Sequence, residues 1–85
     1  MATAAARPGE LPDSPAKEPY LEGARAIRAG DYDAAFEALI ESLRRDRRYA
    51  GGAAREAGRA IFVLLGIHHT ISERYHRAFS SAVLA

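Results

Sequence analysis

His68, His69, Glu73 and His76 bring three imidazoles and a carboxylate into one short stretch, and these are zinc-donor types. Counted around a helix, Glu73 and His76 lie opposite the apolar residues Ile71, Tyr75 and Ala78, so they face solvent. Glu73 also has a competing role in a helix cap, so no metal site is expected. Arg44-Arg45-Asp46-Arg47-Arg48 is the densest charge cluster. Arg44, Arg45, Arg47 and Arg48 form a basic patch that suits phosphate or an acidic peptide. They equally suit a solvated helix C-terminus, where cations oppose the dipole. Ser80-Ser81 are hydroxyls on a helix with no base at triad spacing. The chain has no cysteine, which removes thiol nucleophiles, disulfides and cysteine-ligated zinc. There is no glycine-rich phosphate loop. No catalytic constellation remains, so an enzyme is not expected, and neither is a cofactor.

The elements that position these residues read as helices. Ser14-Pro15 suits an N-cap followed by proline at the first helical position, opening a first helix that runs to about Ala29. Its apolar face is Tyr20, Leu21, Ala24 and Ile27. Gly30 suits a left-handed closing residue and Asp31 the cap of the next helix. The second helix carries Tyr32, Ala35, Phe36, Leu39, Ile40 and Leu43 on its inner face and ends near Arg47. Glu41 precedes Arg45 by four residues, the favourable order for a helical ion pair. Gly51-Gly52 mark a turn. A third helix begins near Ala53 with small residues and ends Ile61-Phe62-Val63-Leu64-Leu65, a run expected to be buried on most sides. Gly58 inside it costs about 1 kcal/mol against alanine, which a close backbone approach would offset. Gly66 closes this helix. Thr70-Ile71-Ser72-Glu73 fits a capping box opening a fourth, whose face is Ile71, Tyr75, Ala78, Phe79 and Ala82. No segment reads as a strand.

The chain has 85 residues and a net charge of +1, so it holds at most one small domain and carries no global field that demands nucleic acid or membrane. Residues 1–13 are rich in alanine, proline and glycine and read as a disordered arm, leaving residues 14–85 as the domain. That arm lacks the apolar core of a signal peptide, and no stretch is long enough to span a bilayer, so a cytoplasmic protein is expected. A shift of 36 residues superposes Gly30 on Gly66, Ala24 on Ala60, Ile27 on Val63, Leu39 on Tyr75 and Leu43 on Phe79. The period is close to the roughly 34 residues of tetratricopeptide hairpins. The expected fold is therefore all-α, with four helices as two antiparallel tetratricopeptide-like hairpins. Leu39 and Phe62 are expected to be deeply buried where the hairpins meet.

A more specific likeness lies in Arg44-Arg45-Asp46-Arg47, Tyr49, Ala53-Ala54-Arg55, Phe62, Leu64-Leu65-Gly66, His69, Tyr75 and Ser80/Ser81 to Leu84. Over about Tyr20 to Leu84 the chain resembles the C-terminal tetratricopeptide domain of YbbN-type thioredoxins, also called chaperedoxins. It departs from that pattern at Gly51-Gly52, where an acidic pair is common, and at Thr70, where proline is usual. The thioredoxin domain that precedes this module in the family is not in the sequence. The resemblance implies holdase and co-chaperone work with the C-terminal helix docking on a chaperonin. It implies no carboxylate clamp, because Tyr20 and Ala24 stand where clamp-type domains carry lysine and asparagine.

These readings converge on a protein–protein interaction module, an adaptor or co-chaperone. The alternative is a structural or assembly subunit of a larger complex or a homo-oligomer, since two hairpins are few for a free-standing solenoid. A nucleic-acid binder rests on the arginine cluster alone and is not expected. Two surfaces are candidates for the partner. One is the first-helix stripe of Tyr20, Ala24 and Ile27, which would suit an amphipathic helix or an apolar peptide unless it packs on the third helix. The other is Phe79, Val83 and Leu84 on the last helix, which would meet the partner unless they complete the core.

Overall fold

The structure is a computed structural model that describes residues 13–84. The expected arm, residues 1–13, falls outside these apart from Asp13. Four helices follow in order: α1 (Lys17–Ala29), α2 (Tyr32–Arg45), α3 (Ala53–Leu65) and α4 (Thr70–Leu84), with a short 3₁₀ turn at Tyr49–Gly51. There is no strand among the described residues. The chain is all-α and folds as two antiparallel helical hairpins.

The first turn is built as its residues demand. Gly30 adopts φ 75° and closes α1 through its N–H to the carbonyl of Ile27, while the Asp31 N–H reaches the carbonyl of Ala26. The Asp31 carboxylate then accepts from the Ala34 N–H at 3.1 Å and caps α2. Ser14 opens the chain differently from the expectation. Its hydroxyl accepts from the Ala16 N–H in a local turn, and α1 begins only at Lys17.

The buried line of α1 is Pro19 and Gly23, continued by Ala16 just before the helix, with Tyr20, Ala26 and Ile27 packed beside it. This corrects the expected stripe by one residue. The reason is Gly23: a β-carbon there would stand 2.7 Å from Leu39 Cδ2, so glycine lets α1 and α2 approach more closely than any side chain would. The α1–α2 contact is completed by Ser42, wholly buried, whose hydroxyl donates to the Ala16 carbonyl at 3.0 Å.

α2 is the centre of the molecule. Ala35, Phe36, Leu39, Ile40 and Leu43 are buried, as their spacing requires. Phe36 joins an aromatic cluster with Phe62, Tyr75 and Phe79 at centroid distances of 4.7, 5.3 and 5.9 Å. Outside this cluster, α4 is clasped to α2 by the Tyr75 hydroxyl donating to Glu37 at 2.9 Å and by an Arg74–Asp33 ion pair at 2.6 Å. Burial and the Glu37 carboxylate push the Tyr75 phenol up to about 12.

Between the hairpins, Ala50, Gly51 and Gly52 all have positive φ, and Tyr49 is buried against Tyr20 with centroids 6.0 Å apart. Burial pushes the Tyr49 phenol up as well. Gly58 has a close neighbour, but it is a side-chain ring rather than the expected approach of a backbone. A β-carbon there would collide with Cε1 and Cζ of Phe79. α4 departs from its expected start, because the bonds found at its N-terminus come from His69. The His69 imidazole Nδ1 accepts from the Ile71 N–H at 3.0 Å and its carbonyl from the Glu73 N–H at 2.9 Å. Thr70 is therefore the first helical residue rather than the cap.

Candidate protein-binding surface

The apolar end of α3 is the main correction to the sequence reading. Ile61 is buried, but Phe62 and Leu65 are only partly covered, and Val63 and Leu64 stand 84% and 67% exposed. α2 and α4 cover the line Ala54, Gly58 and Ile61, and no element of the described residues lies over the next one. Phe62 accordingly sits at the rim of the core, its ring edge-on to His76 at 6.1 Å, and is not the deeply buried residue expected. Leu39 is fully buried.

The residues of the proposed C-terminal contact separate. Phe79 is a core side chain, 4% exposed, packed edge-on against Phe36 and Phe62. It is unavailable as a free surface contact, because Gly58 admits its ring between the helices. Val83 is half-buried, and Leu84 is 82% exposed. The α1 stripe also divides: Tyr20 and Ile27 pack partly on the core, and Ala24 lies half-covered beside them. α1 packs chiefly on α2.

The basic patch is exposed throughout, and part of it is engaged. Arg45 donates to Glu41 at 2.8 Å and to the Pro15 carbonyl at 3.1 Å, tying α2 to the start of the first hairpin. Arg47 donates to the Leu84 carbonyl at 3.3 Å, which holds the end of α4 against the loop. The Asp46 carboxylate accepts from the Arg48 backbone N–H at 3.1 Å. The histidines do not converge, and no three His, Asp or Glu side chains gather at ligating distance among the described residues.

What the structure does bring together is a shallow groove along α3 and α4. One hollow, of about 340 Å³, is lined by Arg55, Arg59, Phe79, Ser80, Val83 and Leu84. It shares Arg55 and Val83 with a hollow of about 400 Å³ that reaches Arg47 and Arg48. It shares Arg59 with another, of about 290 Å³, bordered by Phe62, Val63 and Ile67. Sequence reasoning missed Arg55, Arg59, Val63 and Ile67. A signal was present: Arg55, Arg59 and Val63 recur at four-residue spacing and so share one helix face. The uninterrupted apolar run Ile61 to Leu65 hides that face, because it suggests burial on most sides of the helix.

The family model described as tetratricopeptide repeat matches residues 10–83. Comparison with curated proteins and with solved structures found no match. The chain belongs to the tetratricopeptide repeat family. Domains of this family generally mediate protein–protein interaction and are typically not catalysts. No helix among the described residues is long and apolar enough to cross a membrane.

Proposed function

We propose, from this family membership, that the chain is a protein-interaction domain, an adaptor or co-chaperone working in the cytoplasm, that meets its partner on the second hairpin. The observation that carries this reading is an asymmetry of exposed apolar surface. Among the described residues, the large apolar side chains that stand most exposed, Val63, Leu64, Ile67 and Leu84, all belong to α3, α4 and their connection. Val63 and Ile67 border one hollow and Leu84 the next along the same two helices, and apolar side chains left open along one helix pair mark an interaction face. Val83 and Leu84 form the C-terminal part of that face, and the Tyr20, Ala24 and Ile27 stripe is a secondary surface.

The likeness to the YbbN-type C-terminal domain supports a co-chaperone role with a chaperonin as partner. Residues 1–13 would be an arm preceding the domain at 14–85. A second reading, a subunit that plugs permanently into a larger complex or a homo-oligomer, is favoured by the open flank of the second hairpin, because a solenoid end normally carries a polar outer face.

Affinity capture from the native cytoplasm tests the proposal. The full chain should retain a protein partner, and a variant lacking Val83 to Ala85 should lose it while its circular-dichroism melt falls only slightly, by the loss of the half-buried Val83 and the Arg47 bond to Leu84. Equal loss of binding and stability would make the end part of the core. Retained binding would move the working surface elsewhere.

A further inference from the structure

The α3–α4 groove has a consistent chemistry along its length. Its floor is apolar, made by Phe62, Val63, Val83 and Leu84 over the buried ring of Phe79, and its charged walls are arginines: Arg47, Arg48, Arg55 and Arg59. Among the described residues no carboxylate lines any of the three hollows. Glu56 pairs sideways with Arg55 at 3.2 Å, and both side chains stay about half exposed. Arg59 makes no ion pair among the described residues.

Resting on the interaction reading above, we infer that this groove takes an acidic amphipathic helix of a protein partner, with an apolar stripe against the floor and carboxylates against the arginines. Charge complementarity selects the sign. The fold argues against strand addition. Among the described residues every element is helical, so no sheet edge offers backbone donors and acceptors to an extended strand. Recognition must come from side chains, which a helix presents at three- and four-residue spacing. α3 is thirteen residues long, about 20 Å at the helical rise, and gives the groove room for a helix of similar length.

The other occupants fit less well. Nucleic acid would use the arginines but would leave Val63, Ile67 and Leu84 facing phosphate and water. A second copy of the chain offers an acidic cleft at Glu22, Glu37 and Glu41. Its remaining lining is Ala34 and Ala38, with no large apolar side chain to fill the floor.

The test uses the full chain and a fluorescent peptide of about fifteen residues, about 22 Å as a helix, with leucines at i, i+3, i+4 and i+7 flanked by glutamates. Anisotropy should show saturable binding that weakens as salt rises. The peptide with every glutamate changed to lysine should bind at least roughly tenfold more weakly, and R55E/R59E should reverse that preference. R55K/R59K should keep it. Val63→Asp should abolish binding of the acidic peptide, and each variant should melt like the parent because these side chains are exposed. A proline-interrupted peptide should not bind.

Equal binding of both charge forms, or of the proline peptide, overturns the proposal. So does duplex DNA competing more strongly than the acidic peptide at physiological salt, or a dimer in sedimentation that the peptide does not dissociate. If the acidic peptide fails while capture from cytoplasm still depends on Val83 to Ala85, the interaction domain stands and the acidic-helix occupant falls.

Discussion

Replacing Gly58 with alanine sets two effects of known size against each other. In an exposed helix the change would stabilise by about 1 kcal/mol, because alanine loses less backbone entropy. At this position the new methyl would fall inside the ring of Phe79, against Cε1 and Cζ. Phe79 is 4% exposed and cannot swing aside, since Phe36 and Phe62 hold its ring at 5.9 and 5.5 Å. Phe36 in turn stacks on Tyr75 at 5.3 Å. Overpacking of this kind costs about 1–3 kcal/mol, and a ring boxed in by other rings belongs in the upper part of that range. The net expectation is a loss of about 1–2 kcal/mol after subtracting the propensity gain. For a domain of this size that lowers Tm by roughly 5–15 °C. Thermal and urea melts followed by circular dichroism measure it, with an unchanged m-value showing that the loss is one of stability. Gly58→Ala combined with Phe79→Leu should be less destabilised than the sum of the single changes, because the collision is shared. A Gly58→Ala protein that melts higher than the parent would refute the packing of α3 on α4.

Phe36→Ala should cost about 3–5 kcal/mol, close to the whole stability of a small domain, and Phe62→Ala clearly less, because Phe62 is at the rim; urea melts rank them. The two buried serines should differ. Ser42→Ala loses the bond to the Ala16 carbonyl and about 1 kcal/mol, whereas Ser72→Ala should be neutral or stabilising, because the Ser72 hydroxyl is buried with no partner among the described residues. In ultraviolet titration Tyr75 should ionise near pH 12. Its neutral phenol is favoured by folding, so this contribution is complete below pH 10 and is lost as pH rises towards 12; Tyr75→Phe should remove that part of the alkaline destabilisation.

Much of the architecture is local and was legible residue by residue. Gly30 and Asp31 specify their turn because a left-handed glycine and a capping carboxylate act on backbone groups a few positions away. The α2 stripe was read correctly because α2 is surrounded, so every apolar position at helical spacing finds a neighbour. Gly58 signalled a close approach, since an interior glycine needs a packing reason. The identity of the approaching group, Phe79, depended on how α4 returns across α3. The same return decided which candidate contacts are core and which are surface. Phe79 and Leu84 look alike in an apolar tail, yet only Phe79 falls over the gap left by Gly58. The run Ile61 to Leu65 likewise carries apolarity but not direction. With α2 and α4 on one side of α3 and no described element on the next, Ile61 is covered while Val63 and Leu64 are left open. Apolar spacing determines that a helix has a face to bury. Only the placement of the other helices determines whether a second face is buried too, and here it leaves one open beside a row of arginines.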